Sequence, residues 1–263
     1  MERIDAVREF RLKSTKDATR KQAATPTLFA EIRQSTGSYL LIPRVTSERR
    51  MYVPVGFAGA DTVANDQCFV MANCGLFEFG IVCSQTHNAW MRQTCGRLKS
   101  DFRYSNTLVY NNFPWPDIAL NATTPSPQPS PARGRGGQTG EVAATAEADA
   151  SLTKADATKA RLRAAIESAA QGVLDARAAH PESSLADLYD PITMPPDLTK
   201  AHQKLDAAVD AAYFAAHAAD GAKKTWRNDA ERVAFLFTLY QKFTSFLPTD
   251  AATPKRIKKR NNA

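Results

Sequence analysis

Apolar and polar positions follow two different periods along this chain, and the change falls near its middle. Before residue 120 the apolar residues come in short, β-rich runs: YLLIPRV at 39–45, MYVPVGF at 51–57 and QCFVMA at 67–72. Runs of that length, punctuated by Pro and Gly, predict strands of a small sheet. Between Gly75 and Thr94 the pattern changes, because Phe79, Cys83, His87, Trp90 and Met91 recur every three or four residues. That spacing predicts one helix packed on the sheet. Thr25-Pro26 predicts a helix start, with TLFAEIR placing Leu28, Phe29 and Ile32 on one face. NTLVY at 106–110 predicts a last strand, stopped by Pro114 and Pro116.

After residue 157 the helical period takes over. Leu162, Ile166, Ala169 or Ala170, Val173 and Leu174 form one apolar stripe, and Leu198, His202, Leu205, Val209 and Ala212 form a second. Asn228 and Glu231 suit the cap and third position of a further helix, whose stripe runs through Val233, Leu236, Phe237, Tyr240, Phe243 and Leu247. Each stripe is too apolar to face water alone, which predicts a helical bundle. Between the two regimes lies PSPQPSPARGRGGQTGEVAATAEADAS, almost without large apolar residues. Such a segment cannot recover its ordering entropy by burial, so it reads as a disordered linker, with a proline-rich ligand for a recognition domain as the other reading.

The expected fold class is therefore α+β: a small mixed α/β domain over 1–120, a linker over 121–156, an all-α bundle over 157–250, and a basic tail over 251–263. The tail's KRIKKR reads as a solvated charge run or as nonspecific phosphate contacts.

Composition narrows the function. A 43% hydrophobic content supports a real core, and 34 basic against 27 acidic side chains give a net charge of +7. That balance favours a polyanionic partner, nucleic acid above all. The cysteines Cys68, Cys74, Cys83 and Cys95 are irregularly spaced with no secretory leader ahead of them, which predicts a reducing, cytoplasmic setting. Stretches such as GLFEFGIVC are far shorter than the roughly 20 residues that cross a bilayer, so no membrane is expected.

Catalytic signatures are hard to find. The Gly-rich GRGG at 134–137 follows no strand, and neither NNFPWP nor DPITMPPDL has Asn or Asp directly before two prolines and an aromatic, as a base-methylating loop needs. No Asp or Glu is followed two residues later by Lys, which removes the common metal-dependent nuclease motif. Cys83 and His87, with Cys74 or Cys95, could share a metal, but the spacing matches no zinc module and reads better as buried thiols and a core imidazole. His202 likewise reads as a neutral packed histidine. No catalytic residue and no metal ligand is assigned.

FRLKSTKDATRKQAATPTLFAEIRQ, SYLLIPRVTSERRMYVPVGF and CGRLKSDFRYSNTLVYNNFPWP resemble the target-recognition domain of the MmeI-like, type IIL restriction-modification DNA methyltransferases. VLDARAAHPESSLADLYDPITMPPDLTKAHQKLDAAVDAAY with DAERVAFLFTLYQKFTS resembles the helical C-terminal domain of the same family. The resemblance implies a bacterial defence enzyme whose nuclease and adenine-N6 methyltransferase parts, the latter using S-adenosylmethionine, are missing here, so this chain is expected to hold no cofactor. It further implies that Lys99 and Asp101 are a variable base-reading pair; Arg103, two residues on, follows on the same side, as an extended stretch requires. Arg44, Asn65 and Asp66 align with other reading positions. Arg97 and the basic residues from Arg8 to Lys21, Lys13 and Lys16 among them, fall to phosphate contact or to structure.

Base-edge chemistry agrees with the pair. In the major groove Lys donates to G O6 or N7 and a carboxylate accepts from C N4, so Lys99 and Asp101 suit the two halves of one G·C pair. A mixed-sign pair grips phosphate poorly, since Asp101 repels the backbone. The competing reading is a charged strand edge that prevents unwanted pairing. Three functions follow: a duplex-DNA recognition fragment or split subunit acting with a separate methyltransferase or nuclease subunit; a non-catalytic interaction module or relic whose bundle docks a partner; and, disfavoured by the missing motifs, an active methyltransferase. Asn111 to Pro116 are read as structural, ending the first part where it meets the helices.

Overall fold

The computed structural model describes residues 2–29, 35–118 and 154–245. Helix α1 (Glu2–Leu12) and the short α2 (Asp17–Lys21) lead into a 3₁₀ turn at Gln22–Ala24. Arg11 holds this unit together by donating to the carbonyls of Gln22, Thr25 and Leu28 at 2.8–2.9 Å. The helix predicted from Pro26 does not begin there. Residues 25–28 form a turn closed by the Leu28 amide on the Thr25 carbonyl, and Ile32 lies outside the described residues.

Strands β1 (Tyr39–Pro43), β2 (Val45–Thr46), β3 (Gly56–Ala58) and β4 (Cys68–Ala72) come from the three predicted runs. They are followed by α3 (Leu76–Cys83), α4 (Gln85–Thr94), β5 (Gly96–Leu98) and β6 (Asp101–Arg103). Two antiparallel sheets result, ordered β3-β1-β4 and β2-β6-β5. A single residue, Arg44, joins them: its amide donates to Gln67 beside β4, and its carbonyl accepts from Tyr104 beside β6.

Two local predictions are corrected. The single helix over 75–94 is broken at Ser84, whose extended backbone (φ −72°, ψ 157°) ends α3 while its hydroxyl accepts from the His87 amide to cap α4. An apolar period carried across the break hid that cap. NTLVY is not a strand but a π-helical turn, Asn106–Tyr110. The Ser105 hydroxyl accepts from the Leu108 amide, Asn112 donates to the carbonyls of Thr107 and Leu108, and Val109 alone is buried. These side-chain bonds give the backbone an alternative to a ladder, overriding the β-rich composition.

The helical part comprises α5 (Lys154–Ala178), α6 (Leu185–Leu188), α7 (Pro196–His217) and α8 (Asp229–Ser245). The α5 and α7 stripes are buried as predicted, with Ile166, Ala170, Val173, Leu205, Val209 and Ala212 fully covered. Asn228 caps α8 by accepting from the Glu231 amide at 3.0 Å. Phe243 stays 55% exposed, and Leu247 and the basic tail lie outside the described residues.

These stripes do not close on each other alone. Helix α3 lies on α5 and α7 at Gly80, where a Cβ would sit 2.8 Å from Ile166 Cγ2 and 3.2 Å from Leu205 Cδ1. Glycine is required by that close approach. Trp90 of α4 receives Phe237 and Tyr240 of α8 at 4.9 and 5.9 Å between ring centres. One hydrophobic core thus runs from the sheets into the helices.

Polar ties cross the same boundary. Asp206 accepts from Tyr52 Oη at 2.6 Å and from the Gln85 amide at the start of α4 at 2.7 Å. Asp210 pairs with Arg232 at 2.7 Å and accepts from Thr86 Oγ1, while Asp229 accepts from Gln85 and Arg92. The Pro114 carbonyl accepts from Tyr213 Oη at 2.6 Å, so the NNFPWP segment does join the two parts. Trp115 packs among Phe77, Tyr110 and Phe113 of the first part.

Candidate nucleic-acid interface

GRLKSDFR folds as a tight hairpin. Gly96 pairs with Arg103, Arg97 with Phe102 and Leu98 with Asp101, leaving Lys99 and Ser100 as a two-residue turn. Alternation along the strands gives the hairpin two faces. On the inner face Phe102 is buried and the Arg97 guanidinium lies 4.0 Å over its ring centre. Gly96, Leu98, Asp101 and Arg103 share the outer face, where Leu98 and Arg103 are exposed and Asp101 is half-buried.

Asp101 and Arg103 are therefore side by side, as the two-residue spacing predicts. Lys99 is not on that extended run: it occupies the turn with φ 55°. Positive φ at the first turn position alone matches a type II′ turn, where glycine is usual. A lysine there stores about 1 kcal/mol or more of strain. Among the described residues no ion pair or side-chain hydrogen bond engages Lys99, Asp101 or Arg103.

The other predicted reading positions converge through the backbone. Asn65 and Asp66 form the turn into β4, where Asn65 Oδ1 accepts from the Gln67 amide at 2.9 Å and Asp66 Oδ1 accepts from Gln67 Nε2 at 3.3 Å. Gln67 in turn accepts from the Arg44 amide, and Arg44 accepts from Tyr104, the neighbour of Arg103. Three distant stretches thus meet at the seam between the sheets. The Arg44 guanidinium stacks on Phe69 at 4.7 Å, with a buried Nε that has no hydrogen-bond partner among the described residues. Lys13 and Lys16 are exposed but belong to the α1–α2 unit, and Lys13 pairs with Glu9 at 3.7 Å.

Comparison with known proteins gives this arrangement a context. The model of the MmeI target recognition domain matches residues 1–117, and that of the MmeI C-terminal domain matches residues 158–248. The chain belongs to the MmeI family. It is 33% identical to DNA methyltransferase A of Bacillus subtilis (strain 168) over 92% of its own length and 22% of that protein's. A solved structure of the type IIL restriction-modification enzyme MmeI in complex with DNA superposes with a TM-score of 0.68 at 38% identity, covering 93% of this chain and 26% of that one. The chain thus spans about a quarter of the MmeI-family relatives it matches and corresponds to their target recognition and C-terminal domains.

Against that MmeI frame the cysteines and histidines have structural surroundings. Cys83 is fully buried and burial pushes its thiol up to about 12; burial with nearby Glu78 does the same to Cys74. His87 contacts Tyr104 Oη at 3.2 Å and the edge of Phe113, and burial holds its imidazole down to about 3. His202 stacks on Tyr52, contacts Tyr189 Oη at 2.7 Å and is held down to about 3 by burial and nearby Arg177. Among the described residues no three metal-ligating side chains cluster, and no described helix is long and apolar enough to cross a membrane. Sequence reasoning missed Glu48, which pairs with Arg97 at 3.4 Å, because that contact depends on β2 lying beside β6.

Proposed function

We propose that this chain reads base pairs of duplex DNA for a type IIL, adenine-N6 restriction-modification methyltransferase, in the bacterial cytoplasm. The hairpin carries the reading: Lys99 from the turn and Asp101 and Arg103 from the outer face present charges of both signs, with no side-chain partner among the described residues. Lys99 would donate to guanine and Asp101 accept from cytosine of one G·C pair. Arg44, Asn65 and Asp66 would extend the contact from the adjoining seam, and Lys13 and Lys16 would add phosphate contacts. The MmeI structure in complex with DNA supports DNA as the partner.

On this reading the chain supplies recognition and no catalytic group. S-adenosylmethionine belongs to the methyltransferase part of the whole enzyme, in the same polypeptide or a separate subunit. The docking-module reading is weakened by the packing, since the apolar stripes of α5 and α7 are covered by α3, although Phe237 and Phe243 of α8 stay exposed.

Binding to randomised duplexes across a salt series tests the proposal. The expected result is selection of a defined site, bound at least about a thousandfold more tightly than bulk sequence, with affinity falling as salt rises. Equal affinity for all duplexes would overturn it.

A further inference from the structure

We propose that Arg97 is a positioning residue that braces the reading turn from behind, together with Glu48 and Phe102, rather than a phosphate contact. The inference rests on the base-reading role of the hairpin.

Arg97 makes three contacts at once. Its Nη1 donates to the Ser100 carbonyl at 2.7 Å, its guanidinium covers the Phe102 ring at 4.0 Å, and Glu48 Oε2 lies 3.4 Å from the same nitrogen. The first contact ties the strand before the turn to the turn's own second residue, across three positions. The second seats the guanidinium on a ring that is itself anchored in the core. The third reaches the segment after β2, the strand that pairs with β6. Each contact pulls the side chain to the inner face, away from Gly96, Leu98, Asp101 and Arg103.

The turn needs such a brace. Lys99 sits in the left-handed region without glycine's freedom, so an unsupported turn would relax and carry the ammonium with it. Arg97 supplies the support through a planar fork that stacks and donates together, which a lysine cannot reproduce. Glu48 complements it, because its carboxylate fixes the guanidinium and is itself neutralised beside a surface that must approach phosphates.

Arg97→Lys, Arg97→Ala and Glu48→Gln in the full chain separate the brace from a phosphate contact. Without DNA, Arg97→Ala is expected to speed amide exchange at Leu98 and Asp101, the pair that closes the turn, about tenfold, leaving the helices unchanged. With DNA, Arg97→Ala and Arg97→Lys are expected to lower discrimination at the base pair read by Lys99 and Asp101, by about tenfold and threefold, with other positions and the salt dependence retained. Glu48→Gln is expected to have a smaller effect in the same direction. A phosphate contact predicts the opposite pattern: uniform weakening in Arg97→Ala, a salt slope lower by about one, and rescue by Arg97→Lys. That pattern, or unchanged exchange at Leu98 and Asp101, overturns the brace. If exchanging Lys99 and Asp101 for residues of opposite charge leaves the base preference intact, the reading itself fails; if that exchange changes the preference and the Arg97 variants do not, the brace alone fails.

Discussion

The hairpin at 96–103 and the crossing of α3 with α5 and α7 solve opposite problems. At the crossing, Gly80 leaves no room for a methyl group between Ile166, Ala170 and Leu205. In the hairpin, Phe102 is the single buried side chain, and a non-glycine residue is held in the left-handed region. Burial fixes the first region to close tolerance, and the second uses that rigidity to display charge. Perturbing the helices should therefore change stability while leaving base preference intact, and changes at the turn should do the reverse.

Acidification gives the largest expected effect, and it falls on the core. His87 and His202 stay neutral in the fold down to about pH 3 but take up protons near 6.5 when unfolded. Lowering the pH from 6.5 to 3 thus favours the unfolded chain, by several kcal/mol in order of magnitude. Asp206 works the other way: burial holds its carboxyl up to about 6, above the unfolded value of 3.8, so falling pH through that window favours the fold. Two imidazoles outweigh one carboxyl. Asp206→Asn should leave stability at pH 7.5 equal or higher and make the acid loss steeper, as denaturant titrations across pH would show.

Arg232→Met comes next. It strands Asp210 in a buried site and is expected to cost about 3–5 kcal/mol in denaturant unfolding, with the hairpin's base preference unchanged in the folded fraction. Gly80→Ala should cost about 1–3 kcal/mol by overpacking against Ile166 Cγ2, and adding Ile166→Ala, which removes that methyl, should cost less than the two single changes summed. Lys99→Gly has the smallest effect on stability and the opposite sign: it should stabilise by about 1 kcal/mol or less through relief of the turn, while losing discrimination at its base pair.

The same contrast explains what the sequence revealed. The runs at 39–45 and 67–72 and the stripes of α5 and α7 were legible from their apolar periods, whereas α8 buries Phe235 and Leu239 where the predicted stripe had Phe237 and Phe243. The proposed reading residues came from the resemblance carried by GRLKSDFRYS, which said nothing of their geometry. Lys-Ser is no usual hairpin turn pair, so the turn at Lys99 was concealed inside what reads as an alternating extended run. The shared core was hidden for a different reason. Gly80 sits in an apolar run with nothing nearby to mark it as the point where α5 and α7, far along the chain, make contact. Ser84 and Ser105 each redirected the backbone by capping, a local choice that an apolar period masks.

Selection from randomised duplexes with Lys99→Glu/Asp101→Arg shows whether Lys99 and Asp101 read one G·C pair. Inversion of that one position from G·C to C·G, with every other position retained, is the predicted result, each single substitution costing about 1–3 kcal/mol of discrimination there. An unchanged preference in the double variant would contradict it.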